Sequence, residues 1–329
     1  MRVRPNEPAL AGSFRKDSAD EAFIGEFNAA LAEFEDGSYQ DLPEDLPTLH
    51  VIGAPRSGTT LLYQLIASGL DVGYVNNLTA VFWRNPVTGL RLARKLGLDS
   101  LNSSFASDFG RTKDVSEPHE FGYFWNYHLN YPDLAQRAVD HDETIDWERL
   151  RRVIINMAAC IGKPMAFKPM LLTWHLETMV RHMPRTCYIW IRRDRRSTAL
   201  SLLKMRRQLF GNDETWASLK PNQPLDAEPP WRQVAAQVVL VERAIGRACD
   251  RLGSGNTIAI HYDELCVAPM DVLERTRKLL ENHGMRPDLL IDRLEPFAPQ
   301  RNDALEREFG DRIDEALQYY EDLYENGDS

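Results

Sequence analysis

The stretch TLHVIGAPRSGTTLLYQLI, residues 48–66, constrains the fold more than any other. TLHVIG (48–53) is a largely apolar run that suits a strand covered on both faces. Leu61, Leu62, Leu65, Ile66 and Leu70 then recur at helical spacing. Between strand and helix lies Gly53–Thr60, with the outline Gly-x-x-x-x-Gly. That order brings backbone amides and the positive end of a helix dipole to one point, which suits an anion. A nucleotide hydrolase would carry lysine at the position of Thr59. Here Gly58 is followed by Thr59 and Thr60, and the positive charge sits earlier, at Arg56.

The same alternation continues along the chain. MAF (165–167), CYIWI (187–191) and TIAI (257–260) read as further buried strands. Helices are expected over 173–183 and 195–210, on the stripe Val234, Val238, Val241, Ile245, Cys249 and Leu252, and on Val272, Leu273, Thr276, Leu279 and Leu280. Strands alternating with helices predict an α/β fold whose central sheet is mainly parallel. Residues 18–36 predict an amphipathic helix through Phe23, Ile24, Phe27, Ala30, Leu31 and Phe34, separated from the main unit by Pro43 and Pro47. The expected division is an N-terminal extension over 1–45, a main domain over 46–300 and an acidic C-terminal helix over 301–329. Residues 211–231, rich in proline, read as a long loop or lid.

With 329 residues the chain can bury a sizeable core, and a net charge of −10 argues against a nucleic-acid partner. Cys160, Cys187, Cys249 and Cys266 form no C-x-x-C pair and sit in apolar segments, which predicts buried reduced thiols and a reducing compartment. The N-terminal stretch has no apolar core of a signal peptide, and no run of about 18 apolar residues is present to span a membrane. A cytoplasmic protein is the expectation.

In open parallel sheets, ligands gather outside the carboxyl ends of the strands. The residues expected there are the Gly53–Thr60 loop, Lys168, the run Arg192, Arg193 and Asp194, and the run His261, Tyr262 and Asp263. Ser57, Gly58, Thr59 and Thr60 would bind an anion through amides and hydroxyls. Arg193 would add a bidentate contact, with Ser201 eight residues on. Cations at a helix start oppose the helix dipole, so the cluster around Arg193 calls for a compensating anion.

GAPRSGTT and IRRDRRSTALSLLK (191–204) together resemble the sulfotransferases that use 3′-phosphoadenosine-5′-phosphosulfate, PAPS. FKPMLLTWHLETMVRHMPRTCYIWIRRD (167–194) is similar to the bacterial branch, and HYDELCVAPMDVLERTRKLLE (261–281) to the family's Tyr-Glu-Asp-Leu segment. The resemblance covers about residues 47–285. It implies a three-layer fold of the P-loop type, with Gly53–Thr60 as the 5′-phosphosulfate loop, Arg193 and Ser201 on the 3′-phosphate, and Tyr262 against the nucleotide. PAPS would be the donor and 3′-phosphoadenosine 5′-phosphate, PAP, the product, with no metal. Arg56 and Lys168 would stabilise charge building on the leaving phosphate, an electrostatic role worth roughly several kcal/mol in such sites. Two departures stand out: Arg195 replaces the proline usual after Arg-Asp, and Arg301 is the candidate substitute for a C-terminal phosphate loop that is not visible.

The resemblance also implies a catalytic glutamate shortly after the loop, but that region reads DVGYVNNLTAVFW, with Asn76 and Asn77 and no acid after its first residue. SEPHEFGYFWNYH (116–128) offers the general base instead: His119 or Glu120, with Glu117 behind them. The competing interpretation is a core of aromatics with polar groups on a loop surface. His175 reads as structural. Phe82, Trp83, Arg84, Phe121, Phe124 and Trp125 are the candidate contacts for a small acceptor that is lipophilic, aromatic or sugar-containing. The favoured activity is sulfuryl transfer to a hydroxyl or amine. The rivals are a P-loop kinase or hydrolase with a degenerate loop, and a non-catalytic nucleotide-binding protein.

Overall fold

The computed structural model describes residues 10, 15–101, 103–131, 141–299 and 303–325. Its first half runs α1 (Ser18–Ser38), β1 (Thr48–Ile52), α2 (Thr59–Gly69), β2 (Gly73–Tyr74), α3 (Asn77–Val81), α4 (Pro86–Lys95), α5 (Gly122–His128) and α6 (Trp147–Ile161). The second half runs β3 (Met165–Phe167), α7 (Leu176–His182), β4 (Thr186–Arg192), α8 (Arg195–Phe210), α9 (Pro230–Leu252), β5 (Thr257–His261), α10 (Tyr262–Val267), α11 (Pro269–Glu281) and α12 (Asp303–Glu325).

The strands form one sheet in the order β2-β3-β1-β4-β5, and every pairing in it is parallel. Parallel strands need crossover helices, which cover both faces. The two covers are distinct. Leu49 and Val51 of β1 pack with Cys187, Ile189 and Ile191 of β4 under α2, α10 and α11. Ile52 packs with Tyr188, Phe167 and the aromatics of α5 on the opposite face, under α6, α7 and α9. Alternate residues thus serve opposite faces, and fully burying each such Leu, Val or Ile stabilises the sheet by roughly 1.5–3 kcal/mol.

A third apolar cluster joins α8, α9 and α12, with Leu202, Val234, Phe309 and Ile313 inside it. Residues 211–229 are irregular and are pinned to this cluster: Ala217, Leu219 and Leu225 are buried, and Gln237 donates to the carbonyls of Ala217 and Leu219. The helix expected over 173–183 is broken. A short 3-10 turn, Leu171–Trp174, precedes α7, and His175 stands between them.

β1 lies between β3 and β4, so the chain leaves it toward one edge and returns on the other side. The crevice at that reversal, outside the carboxyl end of β1, is where such sheets place ligands. The Gly53–Gly58 loop opens there.

Candidate active site

The loop is shaped by glycines where no other residue fits. Gly58 caps α2 at φ 108, and a Cβ there would meet the Tyr262 ring at 2.5 Å. A Cβ on Gly53 would lie 2.6 Å from both the Ile191 carbonyl and Ser57 Oγ. No side chain caps the first turn of α2. Ser57 Oγ is buried and has no hydrogen-bond partner. A polar atom left in that state costs about 1–3 kcal/mol, and an oxyanion at the uncapped helix start would relieve it. The loop therefore fits a phosphate-type group. The start of α8 differs: Asp194 caps it, its carboxylate accepting from the Ser197 amide at 2.8 Å.

Two polar groupings meet at this edge. In the first, Lys168 Nζ is 2.7 Å from Glu120 Oε2 and donates to Thr60 Oγ1 at 3.1 Å. Lys168 is 4% exposed and Glu120 42%, so the carboxylate is the open member of the pair. Enclosure raises the Glu120 pKa, but the Lys168 charge and hydrogen bond outweigh it and hold the group below its ordinary range. In the second, Arg56 Nε donates to Ser201 Oγ at 3.2 Å, and Arg193 Nη1 donates to the Arg56 carbonyl at 3.3 Å. The Arg193 guanidinium lies 4.4 Å from the centre of the Tyr262 ring. Burial and the neighbouring Arg193 pull the Arg56 pKa down to about 10. Arg56, expected at the leaving phosphate, thus keeps company with Arg193 and Ser201.

His119 accepts the Phe121 amide hydrogen at Nδ1, at 2.9 Å, and its own amide is tied to the Val75 carbonyl. Nδ1 is therefore unprotonated, the ring hydrogen sits on Nε2, and burial lowers the pKa. Taking a proton would cost the bond to Phe121. Glu117 is buried and saturated by Gln64, Ser103 and Ser104. Asn76 accepts from the Thr79 amide at the start of α3, and Asn77 donates to Thr112 and Asp114. His175 is buried between Tyr131 and Asp142.

Phe82, Trp83, Phe121, Phe124 and Trp125 are all buried, with Phe121 and Phe124 stacked at 4.5 Å. They form a floor. Arg84, Tyr123 and Tyr127 are half-buried, and Arg84 Nη2 donates to the Tyr127 hydroxyl at 3.2 Å. Arg301 lies outside the described residues. The turn 108–111, absent from the sequence expectations, reaches this edge as well. A Cβ on Gly110 would lie 3.5 Å from Lys168 Nζ, 3.6 Å from Thr60 Oγ1 and 3.7 Å from Glu120 Oε2. Its only sequence signal is a glycine beside an aromatic in an aperiodic stretch. Among the described residues no cluster of His, Cys, Asp and Glu side chains gathers as a metal site, and no helix is long and apolar enough to cross a membrane.

A P-loop-type sheet carrying these two groupings is the frame of a group-transfer enzyme. The chain belongs to the sulfotransferase family, whose model matches residues 47–283. Its fold is similar to that of sulfotransferase STF1 from Mycobacterium tuberculosis H37Rv, at 12% identity and a TM-score of 0.53 over 95% of this chain and 88% of that one. Sulfotransferase STF9 from Mycobacterium avium is similar too, at 17% identity and a TM-score of 0.50 over 94% of this chain and 87% of that one. No curated protein matches in sequence.

Proposed function

We propose that the protein moves a sulfuryl group from PAPS to a hydroxyl or amine of a small-molecule acceptor in the cytoplasm, by in-line transfer assisted by a general base. The observation that carries this is the meeting, at one sheet edge, of the uncapped start of α2, where Ser57 Oγ has no hydrogen-bond partner, with the Arg56, Arg193 and Ser201 grouping. The loop amides, Ser57 and Thr59 would hold the 5′ side. Arg56, Arg193 and Ser201 would hold a second phosphate, the 3′-phosphate, which ATP lacks, with Tyr262 beside it. PAPS supplies the activated sulfuryl group.

Charge supports sulfuryl over phosphoryl transfer. The Lys168 ammonium is already matched by Glu120 at 2.7 Å. A terminal phosphoryl group brings two negative charges against that carboxylate, whereas a sulfuryl group brings one. Like charges at contact distance are strongly disfavoured in an enclosed site. Asp194, the acid at a strand end that a kinase could use for magnesium, is occupied as the cap of α8.

Glu120 is the base in this reading, because its carboxylate is open and His119 is committed to Phe121. Lys168, drawn toward the leaving phosphate oxygen, loosens its hold on Glu120, and the carboxylate becomes a stronger acceptor as the acceptor's proton departs. His119 keeps its Nε2 hydrogen and donates. The buried aromatics hold the 116–128 segment rigid, while Arg84, Tyr123 and Tyr127 face the acceptor. Thermal shift tests the donor assignment. PAP is expected to raise Tm far more than ADP at equal concentration, and equal shifts would overturn it.

A further inference from the structure

Residues 103–117 form a loop that is over-determined for a surface connection. Its base is fixed by the buried Glu117 carboxylate, which accepts from Ser103, from the Ser104 amide and hydroxyl, and from Gln64 of α2. Asn77 of α3 holds Thr112 and Asp114. Phe105 packs on Phe297 with ring centres 5.0 Å apart. At the tip, Asp108 and Arg111 exchange both backbone hydrogen bonds, at 2.8 and 3.0 Å. Phe105 and Phe109 are held at φ 51 and 49, and Gly110 at φ 88. A left-handed backbone costs a non-glycine residue about 1–2 kcal/mol, and it persists where the surroundings enforce it.

The enforced tip faces both groupings of the site. The Phe109 ring lies 4.9 Å from the Arg56 guanidinium, whose Nε is tied to Ser201. Arg56 is itself at φ 74 and is repelled by Arg193, so its place depends on what supports it. One residue on, Gly110 stands against Lys168 Nζ, Thr60 Oγ1 and Glu120 Oε2, and a methyl group there would come into van der Waals contact with all three.

We infer that the 108–111 turn is a specificity-determining wall of the transfer site. Gly110 limits the size of the group that sits among Lys168, Thr60 and Glu120, and Phe109 is a positioning residue that holds Arg56 toward the 3′-phosphate. This rests on the proposed donor. The backbone at φ 88 requires a glycine at this point of the turn, and any side chain added there would face the Lys168, Thr60 and Glu120 groups.

The test is calorimetric titration of Gly110→Ala, Phe109→Ala and Phe109→Tyr with PAP, with ADP and with a non-hydrolysable PAPS analogue. Gly110→Ala is expected to weaken the sulfuryl-bearing ligand at least tenfold, about one lost methyl-sized fit, and to leave PAP within about twofold. Phe109→Ala is expected to weaken PAP roughly three- to thirty-fold, the range of a cation–π contact, without changing ADP, and Phe109→Tyr to restore it. Equal losses for PAP and the analogue in Gly110→Ala, or equal losses for PAP and ADP in Phe109→Ala, would overturn the inference. Wild-type protein that does not prefer PAP to ADP would instead overturn the donor assignment. Unliganded Tm shows that each variant is folded, and if Gly110→Ala is not, the Phe109 pair decides.

Discussion

Arg193 and Arg195 are two residues apart and serve opposite ends of the molecule's electrostatics. At the strand ends, Arg56 donates to Ser201, Arg193 donates to the Arg56 carbonyl and lies over the Tyr262 ring, and the two side chains are close enough to repel each other. Along the seam between α8 and α12, three arginines of α8 are matched by acids. Arg195 meets Glu242 at 2.8 Å and also Glu321, Arg196 meets Glu306 and Asp314, and Arg207 meets Asp213 and Glu308. The seam has satisfied its charge internally. At the rim, burial and then the neighbouring Arg193 lower the Arg56 pKa. Cations held together against repulsion mark where a ligand's charge belongs. An equal density of cations matched by acids marks a joint.

The sharpest way to break this contrast is at the Lys168–Glu120 ion pair of the rim. Glu120→Gln removes the proposed base and is expected to lower kcat by about 10²–10⁴-fold with PAP affinity intact. The Glu120 pKa lies below its ordinary value of 4.5. The folded protein therefore binds this proton less readily than the unfolded chain. The stabilisation is present above the ordinary value and is lost as pH falls through the lowered one. The acid limb of kcat/KM for the donor is expected below 4.5, and that of kcat at a higher pH, because Lys168 relaxes its hold once the donor is bound. A limb near the ordinary histidine value, or loss of turnover in His119→Gln but not in Glu120→Gln, would reassign the base.

Next in size is the seam. Glu242 is 3% exposed, and Arg195→Ala leaves its carboxylate facing no guanidinium. Breaking a buried pair from one side costs about 3–5 kcal/mol, so a clear drop in Tm is expected with PAP affinity unchanged. Arg193→Ala is the mirror image: a charge-assisted contact worth about 1.5–3 kcal/mol is lost from PAP binding, with ADP binding and unliganded Tm little changed. Should Arg195→Ala weaken PAP as strongly as Arg193→Ala, the division between rim and seam fails.

The sequence carried one side of this comparison better than the other. GAPRSGTT is legible because its constraints are local: Gly58 is required by φ 108, and the strand before and helix after it are contiguous in sequence. The strand-end residues follow once the sheet is parallel. The seam is not legible, because the acids that match Arg195 lie 47 and 126 residues away. From the sequence, Arg195 and Arg196 look like Arg193. Phe121, Phe124 and Trp125 are expected from the sequence to face an acceptor and are buried in the core, since the pattern of rings cannot say which side of a loop is covered. β2 has two residues and α5 starts from Phe121 at φ 56, too short and too irregular for any periodicity. The 108–111 turn was invisible for the same reason: its fixing partner Glu117 reads as one more polar loop residue until Ser103, Ser104 and Gln64 are seen around it.

The smallest expected effect tests whether the seam is uniform. Arg207 is gripped by Asp213, 16% exposed, and by Glu308, 50% exposed. Solvent screens the outer pair, and exposed pairs contribute little because ordering two long side chains offsets the attraction. Glu308→Gln is therefore expected to leave Tm unchanged within the precision of the measurement, in low salt as well as high, because Asp213 still holds the guanidinium by two hydrogen bonds. Asp213→Asn should lower Tm measurably. A loss in Glu308→Gln approaching that of Arg195→Ala would mean that α12 is held by its outer charges, and the strength of the seam would then have to be assigned to the whole row of acids instead of to Glu242.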